Sequence, residues 1–117
     1  MFKKVSNKVN TMKTHNIIDR IVKQIRETEP EVKVILYGSY ARGKENKEPD
    51  IDVLLLLDKD EVSYKDKDEK RISHPLYGIE FETGFIISPL VLGEKDWHTR
   101  HKITPYYDNV IRDGVRL

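Results

Sequence analysis

The chain has 117 residues and a formal net charge of +1, with 21 Lys and Arg set against 20 Asp and Glu. That length makes one domain around a single core, and the lack of cysteine excludes both a disulfide framework and a Cys-based zinc site. The charge balance argues against a dedicated DNA or RNA binder, because phosphate contacts demand a basic excess. No apolar run approaches a membrane span and the N-terminus lacks a signal-peptide apolar core, so a cytoplasmic protein with no membrane partner is expected.

Residues 1–12 are polar and basic without a clear period and read as a loose arm, leaving 13–117 as the domain. From about Lys13 to Thr28, Ile17, Ile18, Ile21, Val22 and Ile25 recur at helical spacing and give one apolar stripe, which Pro30 ends. Val32–Tyr37 is a β-branched and aromatic run, read as a strand. Residues 38–49 are rich in Gly, Lys and Glu and read as a loop, with a short helix start at Ser39. Ile51–Leu57 is a second strand, and its nearly continuous apolar run predicts burial on both faces. Asp58–Arg71 is a dense mixed-charge run, read as a solvated helix face or loop. Ile72–Thr83 is compatible with a helix interrupted or started by Pro75, with Gly84 as its C-cap and Phe85–Leu92 as a third strand. A last helix has Pro105 at its first position and Gly114 at its end. The expected fold is therefore α/β (α+β), a small mixed sheet covered by helices.

The stretch Tyr37–Leu57 carries the chemistry. Aspartate is depleted in strands, and side chains two residues apart share a face, so Asp50 and Asp52 set two repelling carboxylates side by side at the start of a buried strand. Magnesium is the usual reason for such a pair, because it takes one or two carboxylates together with substrate phosphate oxygens. Gly38 and Ser39 follow a strand directly. Glycine lets the backbone approach a phosphate, and the following N–H groups and the Ser39 hydroxyl can donate to its oxygens, although the same pair also makes a plain turn and N-cap. Arg42 is placed to clamp a phosphate. Gly38–Lys44 nearly spells a P-loop, but Glu45 stands where that motif needs a magnesium-binding hydroxyl, and Asp50 follows too soon for a parallel crossover. His74, His98 and His101 are spaced unlike a zinc site, and Trp97, Tyr106 and Tyr107 read as core or partner-facing aromatics.

A Gly-Ser pair, ten intervening residues and then Asp-x-Asp resembles the signature of the polymerase-β-like nucleotidyltransferases. G-S-Y-A-R-G followed by P-D-I-D-V-L-L resembles the minimal nucleotidyltransferase (MNT) group in particular. The resemblance implies a polymerase-β-like fold and two magnesium ions held by Asp50 and Asp52. It also implies a triphosphate, ATP or another nucleoside triphosphate, cradled by Gly38, Ser39 and Arg42. An acceptor hydroxyl on a partner protein or small molecule would displace pyrophosphate. It implies a HEPN-type toxin–antitoxin partner as well, or alternatively a catalytically weak or silent antitoxin-like module. The acceptor is left to that partner or to a second copy across a dimer. The family also supplies a third carboxylate from the next central strand. Here its place falls near Gly84, so Glu82, or Glu80 behind it, completes the catalytic set if the strand begins early enough. If Gly84 caps a helix, the strand offers no carboxylate.

Overall fold

The computed structural model describes residues 3–4, 12–38, 50–60, 62, 67–99 and 101–117, with side chains from residue 16 onward. In chain order the elements are β1 (Lys3–Lys4), α1 (Met12–Thr28), β2 (Lys33–Tyr37), β3 (Asp50–Leu57), α2 (Asp68–Ser73), α3 (Leu76–Thr83), β4 (Ile86–Gly93), α4 (Glu94–Thr99), α5 (Pro105–Asp113) and β5 (Val115–Arg116). The strands form one mixed sheet in the order β1-β5-β2-β3-β4. β2 runs antiparallel to β3 and to β5, while β4 lies parallel to β3 and β1 parallel to β5.

β3 is the spine. Its residues 53–57 are all buried, which the continuous run Val53-Leu54-Leu55-Leu56-Leu57 requires of a strand covered on both faces. Alternation divides it between two cores. Ile51, Val53, Leu55 and Leu57 pack with Val34 and Leu36 of β2 and Ile87 and Val91 of β4 beneath the α1 stripe, Ile17, Ile18, Ile21 and Ile25. Ile72, Leu76 and Ile79 of α2 and α3 close the same side. Leu54 and Leu56 face the other way, joining Ile35, Trp97, Tyr107 and Val110 under α4 and α5.

Local chemistry sets the breaks. Pro75 separates α2 from α3, and Gly84 ends α3 in the left-handed region at φ 77°, its N–H bonding Glu80 O at 2.9 Å. Thr104 caps α5 by accepting from the Tyr107 N–H at 3.1 Å, with Pro105 in the first turn. Lys59 and Arg71 hold the buried Asp68 at the start of α2, at 2.6 and 3.0 Å.

Three features differ from the sequence expectation. Lys3–Lys4 is paired as a short strand rather than forming part of a loose arm. The mixed-charge run contributes the first turn of α2, with Asp68 buried. Glu94–Thr99, to which the sequence assigns no element, is a helix of its own that seats Trp97, fully buried.

Candidate active site

Gly38 follows the last residue of β2, and its φ of 75° lies in the left-handed region. A Cβ built there would stand 2.5 Å from Asp52 Oδ2, so only glycine lets the turn and the carboxylate come together. The sheet register explains this approach, because Tyr37, the residue just before, lies directly opposite Asp52. Asp50 and Asp52 share the face of β3 that further along carries Leu54 and Leu56, and both are half-buried where that core gives out. The structure thus brings Gly38, Asp50 and Asp52 together. Ser39 and Arg42, with the helix start expected at Ser39, lie outside the described residues.

Beside Asp52 lies an aromatic cluster. The rings of Tyr37 and Tyr106 meet edge to face at 5.5 Å, and Trp97 meets Tyr106 in the same way at 5.8 Å. Burial pushes the Tyr106 phenol far above its ordinary range, and the neighbouring Tyr37 hydroxyl and the Asp52 charge add to the effect. Burial raises Tyr37 as well, with Asp52 contributing and the Tyr106 hydroxyl opposing. Tyr106 Oη is buried with no hydrogen-bond partner of standard geometry among the described residues. Both phenols stay neutral, which leaves the carboxylates as the anions of the site. Sequence reading placed Tyr106 in a core or against a partner, and its approach to Asp52 depends on the docking of α5, which no motif encodes.

Glu82 does not reach this site. Gly84 caps a helix, so Glu82 belongs to α3, where its carboxylate pairs with Arg20 of α1 at 2.7 Å. α3 packs with α1 on the opposite side of the sheet from the aspartate face. Glu80 is also engaged, accepting the Ile87 N–H at 3.0 Å. The histidines serve the fold: His98 Nδ1 lies 3.0 Å from the Tyr107 hydroxyl, and His101 stacks on Trp97 with its Nε2 3.5 Å from Asp96. The antiparallel pairing of β2 and β3 also removes the P-loop reading, which needs parallel strands joined by a helix.

The donor set suits a hard cation. Two carboxylates on one face, one packed against a Cα with no side chain, leave a cradle in which magnesium could take Asp50 and Asp52 oxygens together with phosphate oxygens. Such an ion would neutralise phosphate charge and orient the triphosphate. No group of three or more His, Cys, Asp or Glu residues suited to a metal occurs among the described residues.

The fold and this constellation match the nucleotidyltransferase family. The family model for the nucleotidyltransferase domain matches residues 18–106, and the chain belongs to that family. A Methanocaldococcus jannaschii protein provisionally named a protein adenylyltransferase is 37% identical over 85 residues, spanning 73% of this chain and 77% of that protein. A crystal structure of a mutant of the toxin–antitoxin pair MntA–HpeT shares the fold, with a TM-score of 0.53 and 17% identity over 86% of this chain and 70% of its own. These relatives are consistent with the MNT group. No helix among the described residues is long and apolar enough to cross a membrane.

Proposed function

We propose that the protein binds a magnesium–nucleoside triphosphate between the Gly38-Ser39 turn and the Asp50 and Asp52 carboxylates, and transfers the nucleotidyl group to a hydroxyl. The observation that carries this reading is the contact of Gly38 with Asp52, a left-handed glycine against a carboxylate on the strand that also presents Asp50. A phosphate-binding turn and a cation-binding pair are thereby held on adjacent strands, with the rigid sheet supplying the positioning on which phosphoryl chemistry depends.

The acceptor oxygen forms a bond to the α-phosphorus as the bond from that phosphorus to the β-phosphate oxygen breaks. Pyrophosphate leaves with the electron pair, and the acceptor proton passes to a base. Asp50 and Asp52 would hold a cation that neutralises and orients the triphosphate, and Ser39 and Arg42 would serve as further phosphate contacts. The provisional name of the M. jannaschii relative favours ATP as donor and a protein as acceptor. The fold shared with a toxin–antitoxin component favours a partner protein, of the HEPN type that the MNT resemblance implies.

Labelled ATP is the test, with magnesium or manganese, a candidate acceptor, and Asp50→Asn and Asp52→Asn beside the wild type. Transfer lost in both variants supports the reading. Full transfer in either one removes it.

A further inference from the structure

Two-ion phosphoryl transfer needs cations about 3.5–4 Å apart, and anionic ligands placed to hold both. Asp50 and Asp52 provide two. The strand able to add a third beside them is β4, parallel to β3, with Asp50 opposite Ile86 and Asp52 opposite Ser88. Parity confirms that these two residues face the site: Leu90 and Leu92, further along the same face of β4, pack against the core that contains Leu54 and Leu56. Both positions are open, with Ile86 half-exposed and Ser88 exposed. Neither bears a charge. Glu80 and Glu82, the nearest acids before the strand, are held by the Ile87 amide and by Arg20.

We infer that among the described residues this is a two-carboxylate site, in which β4 presents Ile86 and Ser88 where a third acid would stand, so that it holds one divalent ion with its nucleotide instead of two. The inference rests on the nucleotide-binding reading above. Its chemistry follows directly. One hard cation is satisfied by two carboxylates and phosphate oxygens. A second would have only carboxylates already shared with the first. The attacking hydroxyl also lacks a carboxylate on β4 to take its proton, which leaves to solvent or to a base brought by the acceptor. Losing a positioned base slows transfer by about 10²–10⁴-fold. The protein is accordingly a slow transferase, and an acid supplied on β4 should quicken it.

The experiment counts Mn²⁺ per bound nucleotide on the full chain, using electron paramagnetic resonance with a non-hydrolysable α,β-methylene ATP. Wild type, Ile86→Asp and Ser88→Asp are compared, each checked for folding by circular dichroism. The expected result is one ion in the wild type and two in at least one variant, whose transfer rate with ATP rises about 10-fold or more. Should Ile86→Asp fail to fold, Ser88→Asp, at an exposed position, carries the comparison. Two ions in the wild type overturn the inference and leave the proposed function standing. One ion in the wild type and in every folded variant also overturns it. No binding of Mn²⁺ and nucleotide by the wild type overturns the nucleotide-binding reading, and this inference with it.

Discussion

Gly38→Ala is the substitution on which the site geometry can be tested most sharply. Two costs add. An L-residue in the left-handed region costs about 1–2 kcal/mol, and Gly38 sits there at φ 75°. The new methyl would also lie 2.5 Å from Asp52 Oδ2, so the carboxylate must retreat by about 1 Å or leave its rotamer, which adds about 0.5–1.5 kcal/mol. The sum is about 1.5–3.5 kcal/mol. With an unfolding entropy of about 0.25 kcal/mol/K for 117 residues, the melting temperature should fall by ~10 °C. A catalytic group moved by about 1 Å should lower transfer about 10²-fold. Urea unfolding in a double-mutant cycle with Asp52→Ala separates the two costs, because removing the carboxylate removes the clash and leaves the backbone term. A coupling of about 1 kcal/mol is expected. If Gly38→Ala costs the same with and without Asp52, the close approach does not exist and the site model fails.

Glu82→Gln should leave transfer unchanged and cost less than about 0.5 kcal/mol, since its exposed pairing with Arg20 lies across the sheet from the aspartates; a large loss of activity would return Glu82 to the site. Asp68 carries an acid-sensitive part of the stability. The Lys59 hydrogen bond holds its carboxyl below the usual range, against the opposing effect of burial, with Arg71 adding to the lowering. A depressed folded pKa gives stability that is present above the unfolded value near ~3.9 and lost as pH falls through the folded one. Urea titrations between pH 6 and 2 should therefore show a shallower acid loss for Asp68→Asn than for wild type, and a cost of about 1–2 kcal/mol at neutral pH because both cationic partners are partly exposed. Tyr106→Phe removes a buried hydroxyl with no partner among the described residues and should raise stability by about 1 kcal/mol by urea unfolding. It should also flatten the alkaline limb: a raised folded pKa gives stability that is complete below the unfolded value near ~10 and lost as pH climbs toward the folded one.

The main elements of this fold are local in origin and could be read locally. The spacing of Ile17, Ile18, Ile21 and Ile25, the apolar run after Asp52, the glycine after Thr83 and the proline after Thr104 each announce an element through their own chemistry. The site was legible to the same depth: Gly38, Asp50 and Asp52 lie within one short stretch, and β-strand parity aligns the two carboxylates. What sequence could not supply is register. Whether Glu82 or Ile86 stands beside Asp50 depends on where α3 stops and how β4 slides along β3, and both are settled by non-local packing of Ile87 and Val91 into the α1 core. The two-residue strands β1 and β5 were hidden for the same reason. Lys3–Lys4 and Val115–Arg116 have no pattern of their own and become strands only because an edge is available beside Ile35 and Leu36.

The aspartate face also shows what the protein gives up for its site. Along one face of β3 the residues run Asp50, Asp52, Leu54, Leu56, and the change from carboxylate to leucine falls where the cover of α4 and α5 begins. A sequence selected for stability alone would continue the leucines or place an uncharged polar residue there. Like charges two residues apart on one strand lie about 7 Å from each other, where they repel by about 0.6 kcal/mol in water and by more where they are partly buried. Asp50→Asn keeps the shape and removes the repulsion, so it should unfold at slightly higher urea than wild type while abolishing transfer. Adding Mg²⁺ with an ATP analogue should reverse the order, because a ligand that binds only the folded state raises the stability of wild type in proportion to its occupancy and does little for the variant. If Asp50→Asn is less stable than wild type without ligand, the carboxylate has a structural role and the functional assignment of the pair loses its physical basis.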